Sequence, residues 1–448
     1  MKYVLGINDG HCATACLLKD GEIVGCVSEE RFNRVKNWSG FPTKSVRWLL
    51  QEAGIGAEEI DAVVLNYQHS GVLNIGDDSP TQSGSRLYQR LSTLYGRANL
   101  LLVLTEYRFP GLRPFSEKLM VLGEKIRSAL LSPERLQPIL ALGIPAAKII
   151  LCDHHDSHLY SLLGWDKLGD EALIITVDGE GDLLSSTVNV YRHGKFERLA
   201  QTSRFASLGL LYTAVTVHLG MKPLEHEYKI MGLAPYCSDY YIQKTLPVFE
   251  NILAVSDLGF RSRYRTDLFG TYLADKLRGH RFDAVAGAVQ THTENLLLAL
   301  VRNAIEQTGI HRLGLAGGVF LNVKANLKMA QMPEVEEIFV FPSAGDESTA
   351  IGAAFWYYFQ KTGQKPKPIA NLYLGPSFDG EVENVLATVK VGDRFRVEKP
   401  ERLEERVADL LVAGKIVARC AGKMEWGARA LGNRSILADP RNPDIVRI

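Results

Sequence analysis

Two histidines four residues apart, His154 and His158, stand in the stretch Leu151-Cys152-Asp153-His154-His155-Asp156-Ser157-His158. The apolar run Ala147 to Leu151 predicts a buried strand, and Asp153 after it is placed as the N-cap of a helix. On a helix the two imidazoles share one face. Two neutral nitrogen donors about one turn apart are what a divalent metal requires. His155 occupies the place where a zinc protease carries its Glu, so the pair alone describes structural histidines at a helix start equally well. Farther on, Ser343-Ala344-Gly345-Asp346-Glu347-Ser348 opens a small-residue helix, and Asp346 could add an oxygen ligand to the same ion.

Three glycine-bearing turns offer phosphate chemistry. Asp9-Gly10-His11 follows the first strand; Gly10 lets the backbone approach a phosphoryl group, and His11 could hydrogen-bond a phosphoryl or carbonyl oxygen. Asp178-Gly179-Glu180-Gly181-Asp182 reads as an acidic turn between two strands, with N–H groups and a carboxylate for a metal-bound phosphate. Gly317-Gly318 ends a strand and Asn322 starts the next helix, which makes a nucleotide-sized pocket of exposed N–H groups. Each also has a plain reading, as a meander with a solvated histidine, an acidic hairpin or an ordinary turn. Near the C-terminus Lys423, Arg429, Arg434 and Arg441 sit among Gly422, Gly427 and Gly432, and cations on such a backbone suit a small dianion. A solvated basic loop is the plain alternative, opposed by the interleaved apolar residues Trp426, Leu431 and Ile436.

The elements that must position these groups fall into two similar halves. Strands are predicted over 3–8, 13–18, 22–28, 60–66 and 147–151, with helices over 42–53 and 115–141. The theme returns with strands over 172–177, 184–191, 196–202, 313–319 and 338–341 and helices over 281–306 and 349–358. Residues 67–119 interrupt the rhythm with scattered Gly and Pro, which predicts a functional insertion such as a substrate lid. After a linker over 362–368, a helix over 400–413 and a buried strand over 416–420 precede the basic segment. Paired halves carrying Gly/Asp turns at corresponding places make the pattern of a duplicated nucleotide-binding fold of the actin and sugar-kinase kind, with its site in the cleft between halves.

Composition narrows the function. Over 448 residues, 46% are apolar and 23% charged, which predicts a soluble globular protein of two or three domains. Lys+Arg and Asp+Glu balance at 51 each, so neither nucleic acid nor a membrane is expected as a partner. The six cysteines form no Cys-x-x-Cys pair and read as reduced thiols in the cytoplasm. Asp9 comes too early for a signal-peptide apolar region, and no apolar run approaches the length of a membrane span.

The sequence resembles the NodU/CmcH-type O-carbamoyltransferase family. The resemblance is carried by Asn8-Asp9-Gly10-His11, Ser28-Glu29-Glu30-Arg31-Phe32, His154-His155-x-x-His158, Val177-Asp178-Gly179, Gly317-Gly318-Val319-x-Leu321-Asn322, Gly345-Asp346-Glu347 and, most specifically, Gly422 to Leu437. It implies an α/β fold: a duplicated actin/sugar-kinase-like (ASKHA) domain over 1–365, then a threonylcarbamoyl-adenylate-synthase-like domain over 366–448. The C-terminal domain would make carbamoyl-adenylate from ATP and carbamoyl phosphate. The N-terminal domain would pass the carbamoyl group to a hydroxyl of a small-molecule acceptor, such as an antibiotic, a nodulation-type sugar or a toxin alcohol. By the same resemblance His154, His158 and Asp346 match ligands of a divalent metal, Fe2+ foremost, with Mg2+ or Zn2+ as alternatives. His11 matches a histidine near the acceptor hydroxyl. Asp9, Gly10, Asp178, Gly179, Gly317, Gly318 and Asn322 would hold the nucleotide, and Lys423, Arg429 and Arg434 the carbamoyl phosphate. A homodimer is left open.

Two departures stand out. Lys423 takes a place where the family more often has Arg, which keeps the charge but not the bidentate fork. Family members usually continue well past the position of Ile448, so the C-terminal domain is expected to be incomplete and adenylate formation by this chain is placed in doubt. A small-molecule kinase or a non-catalytic nucleotide-binding protein on the same fold are the competing readings.

Overall fold

The computed structural model describes residues 2–69, 93, 96–98, 101–103, 105–106, 108–389, 395–445 and 447. Most of the expected insertion over 67–119 therefore lies outside the described residues. The described chain forms two compact units, Met1–Val24 with Ser28–Ile369, and Gly25–Val27 with Ala370–Ile448.

The first unit is mixed α/β and contains two five-stranded sheets. In the first sheet, β1 (Tyr3–Asn8), β2 (Thr14–Lys19) and β3 (Glu22–Ser28) form a meander, and β4 (Ala62–Leu65) and β5 (Ile149–Leu151) extend it, in the order β3-β2-β1-β4-β5. β1 and β2 are antiparallel, with Tyr3 opposite Lys19 and Asn8 opposite Thr14, whereas β4 is parallel to β1 and β5 to β4. Alternation decides which side chain faces which layer. Leu5 and Ile7 of β1, Leu17 of β2 and Leu65 of β4 cluster with Val46 and Leu49 of the helix Thr43–Ala53.

The second sheet repeats that order. β6 (Glu171–Gly181), β7 (Leu184–Arg192) and β8 (Lys195–Ser203) form the meander, and a hairpin of β9 (Leu253–Ser256) and β10 (Gly259–Ser262) follows. β11 (Arg312–Ala316) then lies parallel to β6, and β12 (Glu337–Val340) parallel to β11, giving β12-β11-β6-β7-β8. Leu173, Ile175 and Val177 of β6 pack with Leu211 and Val215 of the helix Leu208–His218 and with Val289, Leu297 and Leu300 of the helix Phe282–Thr308.

Two local expectations are corrected. The run Asp178–Asp182 is not a turn: β6 continues to Gly181, its register with β7 shifts between Val177 and Gly181, and the chain reverses at Asp182 and Leu183, both at positive φ. The acidic residues thus sit on a bulge, which re-aims side chains out of the sheet. In the second unit, β13 (Val417–Cys420) is largely exposed instead of buried. It pairs only with β14 (Arg434–Leu437), and a two-stranded ladder buries little of either face.

Candidate metal centre

The helix His154–Ser161 leaves the end of β5 with the N-cap that its sequence implies: the Asp153 side chain accepts the Asp156 N–H at 3.0 Å. Asp182 holds the same turn from the neighbouring sheet. Its carboxylate accepts the backbone N–H groups of His154 (2.8 Å), Gln68 (3.0 Å) and His69 (2.7 Å). Burial pushes Asp182 up to about 6 against the pull of those N–H donors.

His154, His155 and His158 are fully buried, so each ring nitrogen needs a partner or an ion. His155 is tied to the second sheet: its Nδ1 meets Thr176 Oγ1 at 2.8 Å, and Thr176 in turn meets Thr187. His158 Nδ1 lies 3.3 Å from Ser348 Oγ, while its Nε2 is buried and makes no hydrogen bond. That nitrogen points at two carboxylates, 3.4 Å from Asp178 Oδ2 and 3.8 Å from Asp346 Oδ1. His154 Nε2 lies 3.0 Å from Asp178 Oδ2 and 3.8 Å from Asp346 Oδ1. One ligand atom from each of His154, His158, Asp178 and Asp346 falls within 4.8 Å of every other.

Two imidazole nitrogens and two carboxylate oxygens suit a divalent ion such as Fe2+ or Zn2+. The charges point the same way. Burial pushes Asp346 well above the ordinary carboxylate value, and the nearby Asp178 and Glu347 push it further. Burial would raise Asp178 as well, yet the imidazoles of His154 and His158 beside it bring it well below its usual range. A cation among the four groups offsets the cost of keeping two acids this close. The neighbouring backbone leaves no slack: a Cβ on Gly181 would stand 2.0 Å from His154 Cδ2.

The structure therefore brings His154, His158 and Asp346 together and adds Asp178 to them. Gly318 N–H donates to Asp178 Oδ1 at 3.0 Å, and Gly317, at φ 106°, donates its N–H to the Ala344 carbonyl beside Asp346. Gly179 accepts a hydrogen bond from Ser207 Oγ at 2.5 Å, at the start of the helix Leu208–His218. Asn322 caps the helix Val323–Ala330 and exchanges two hydrogen bonds with Gln290, at 2.9 and 3.0 Å.

His11 belongs to this neighbourhood. Burial holds its pKa below the ordinary histidine value, against the charge of Asp178 and a hydrogen bond to the Leu224 carbonyl, so the ring is neutral near pH 7. Asn8 ties the His11 loop to the metal ligands: its Nδ2 donates to the carbonyls of His11 (2.6 Å) and Asp346 (3.1 Å), and its Oδ1 accepts Gly10 N–H (2.9 Å). Asp9 has both carboxylate oxygens gripped by Arg135, at 2.5 and 2.8 Å. Neither Arg135 nor Tyr67, which lies against the cluster, carries a local sequence signal.

Lys423, Arg429 and Arg434 fall in the second unit. Lys423 and Arg429 are exposed, and Arg434 Nη1 donates to the carbonyls of Ala421 (3.0 Å), Gly422 (3.3 Å) and Asn433 (2.9 Å). The backbone N–H groups of Leu431 (2.9 Å), Asn433 (2.8 Å) and Arg434 (3.0 Å) converge on Glu425 Oε1. Burial alone would raise Glu425, but these donors lower it below the usual value.

Comparison with known proteins identifies the family. Residues 3–355 match the family model described as carbamoyltransferase N-terminus, and residues 408–448 match the carbamoyltransferase C-terminus. The chain is 31% identical over 469 aligned residues to an uncharacterised protein of Synechocystis, covering 99% of this chain and 72% of that one. It is 30% identical to the nodulation protein NolNO of Sinorhizobium fredii over 96% of its own length, and spans only 58% of that relative. A 127-residue stretch, 28% of this chain and 23% of the relative, is 33% identical to the 3'-hydroxymethylcephem-O-carbamoyltransferase of Streptomyces clavuligerus. Among the described residues no helix is long and apolar enough to cross a membrane.

Proposed function

The chain belongs to the carbamoyltransferase family, and from that premise we propose that it serves ATP-dependent O-carbamoylation of a small-molecule hydroxyl. The observation that carries this reading is the buried His154–His158–Asp178–Asp346 cluster with the neutral His11 close to it. The matching strand orders of the two sheets support reading residues 1–365 as a duplicated actin/sugar-kinase-like domain. Residues 366–448 are read as part of an adenylate-forming domain. The six cysteines, all free thiols, support a reducing, cytoplasmic setting.

The chemistry divides into two stages. Carbamoyl phosphate and water give carbamate and phosphate; carbamate and ATP then give carbamoyl-adenylate and pyrophosphate. In the second stage the acceptor oxygen bonds to the carbamoyl carbon, the bond from that carbon to the adenylate oxygen breaks, and AMP leaves. His11 takes the hydroxyl proton, a task for which a neutral imidazole is the right form. Gly317 and Gly318 would lie beside the adenylate phosphate, where the lack of a side chain lets the backbone come close, and Asn322 holds the neighbouring helix start in register. His154, His158, Asp178 and Asp346 would hold a divalent ion, Fe2+ the first candidate, which when bound would supply positive charge against the phosphate of the leaving group. The hydroxymethyl group named for the Streptomyces relative supports a primary alcohol as acceptor.

The test is product analysis of the purified chain with ATP, carbamoyl phosphate and a divalent metal. Pyrophosphate release that requires carbamoyl phosphate, followed by AMP release when hydroxylated acceptors are added, is expected. Accumulation of ADP without any need for carbamoyl phosphate would instead identify a kinase.

A further inference from the structure

Tyr67, just beyond the end of β4, touches every part of the metal centre that otherwise lacks a support. It is 3% exposed, and its hydroxyl donates to Asp346 Oδ2 at 3.2 Å. Its ring stacks on His154, with centroids 4.5 Å apart and planes 20° from parallel. Its carbonyl accepts Arg135 Nη1 at 2.9 Å, from the same guanidinium that grips Asp9. Gly10, between Asp9 and His11, lies so close under this ring that a Cβ there would stand 2.9 Å from Tyr67 Cε2 and 3.2 Å from its hydroxyl.

These contacts address a specific deficit. A metal-binding histidine normally has its second ring nitrogen fixed by a hydrogen bond, which sets both tautomer and ring plane. His158 has Ser348 for this purpose, but His154 Nδ1 is buried without a hydrogen-bond partner. The stacked Tyr67 ring holds the His154 plane together with the close-packed Gly181 backbone. Asp346 presents a parallel problem, since a free carboxylate can rotate to offer either oxygen or both. With Oδ2 tied to Tyr67, only Oδ1 is left facing the two histidine Nε2 atoms, 3.8 Å from each.

On the metal reading given above, we propose that Tyr67 is the positioning residue of this centre: it fixes Asp346 as a ligand through one oxygen, holds the ring plane of His154, and couples both to the His11 loop. Tyr67→Phe removes the hydroxyl and keeps the stack; Tyr67→Leu removes both.

The readout is Co2+ binding to the purified full chain, as affinity by competition with a chromophoric chelator and as the ligand-field absorption spectrum. Tyr67→Phe should weaken binding roughly 10-fold and alter the spectrum, because Asp346 is freed to rotate, and Tyr67→Leu should weaken it roughly 100-fold. The melting of Tyr67→Phe in chelator should match wild type, which separates lost coordination from lost fold. Wild-type binding that His158→Ala abolishes, while Tyr67→Phe keeps the wild-type affinity and spectrum, would overturn the role of Tyr67 and leave the metal reading standing. A wild-type chain with no affinity for Co2+ would overturn the metal reading itself and this inference with it.

Discussion

The residue that concentrates the chemistry is Asp178. Its Oδ2 faces His154 and His158, and its Oδ1 accepts Gly318 N–H. Asp178→Asn keeps the shape of the side chain and discards the charge. Metal affinity should fall by at least the roughly 10–100-fold seen when even a supporting contact of a metal site is lost, as measured by Co2+ titration. His11→Ala should separate the two roles in the site. It should leave Co2+ affinity unchanged and slow AMP release to an acceptor by roughly 10²–10⁴-fold, the usual contribution of a positioned proton acceptor. Unchanged AMP release would remove His11 from the reaction. At this scale the sequence was partly legible. A His-x-x-x-His pair has a geometric meaning on any helix, and Asp346 follows a small-residue turn, so three of the clustered groups stood out. The Asp178 run reads in sequence as a turn for a metal-bound phosphate, and by resemblance as part of a nucleotide site, because a bulge and a turn look alike in an Asp-Gly run. Tyr67 and Arg135 have no spacing or neighbour that marks them; their partners lie far along the chain.

Among the elements, the contact that fixes the histidine helix is its packing on the helix Thr349–Thr362. A Cβ at Gly352 would stand 1.6 Å from the Ser157 carbonyl oxygen and 3.1 Å from Ser161 N, so the two backbones touch where only glycine fits. Gly352→Ala should cost at least the roughly 1–3 kcal/mol of an overpacked core in denaturant unfolding. By displacing Ser157 it should also weaken metal binding at His158. The small residues Ala350, Gly352, Ala353 and Ala354 announced a close-packed helix in the sequence, but nothing there named its partner. The helix Arg113–Leu140 is the opposite lesson. It turns Ser116, Glu124 and Ser128 inward beside Met120, Leu131 and Ile139 while Phe115, Leu122 and Ile126 stay exposed, so its buried face is half polar and the periodicity argument for an amphipathic helix holds only in part. Arg135 reaches Asp9 from that same helix, so polar contacts set its orientation. The helix Phe282–Thr308 carries a different device. His292 is buried, its Nε2 is unpartnered, and burial pushes its pKa down to about 4 against a hydrogen bond donated to the Leu253 carbonyl. The unfolded chain takes up this proton first as pH falls below the ordinary value of 6.5. Its contribution to stability is therefore whole above that pH, declines toward about pH 4 and is lost below. The shift corresponds to about 3 kcal/mol. Unfolding curves of His292→Leu should lack that part of the acid sensitivity, and parallel pH profiles for variant and wild type would refute it.

For the whole molecule, the decisive arrangement is one strand order used twice. β3-β2-β1-β4-β5 and β8-β7-β6-β11-β12 place the same ends of strands toward the chemistry. Asn8 ends β1, Tyr67 follows β4, His154 follows β5, Gly317 follows β11 and Asp346 follows β12. Ligands of open α/β sheets gather at the carboxyl ends of strands, which explains why residues 300 positions apart in sequence meet here without any local pattern to foretell it. The halves were legible as repeated strand runs; the pairing of their ends was not, because it depends on how the sheets fold back within the unit. The arrangement has a thermodynamic consequence. His154 and His158 come from the first half, and Asp178 and Asp346 from the second, so the four donors converge only in the folded chain. An ion that binds this set and ignores the unfolded chain must stabilise the fold by mass action, by about 2.7 kcal/mol at a free concentration 100 times its dissociation constant. Thermal melting should accordingly rise with added Fe2+ under anaerobic conditions, or with Co2+, and fall with chelator. The same titration on His158→Ala should leave the melting temperature where chelator puts it. Metal-dependent melting that survives in His158→Ala would locate the stabilising ion elsewhere in the molecule, and with it the premise that these two halves are joined through their shared cation.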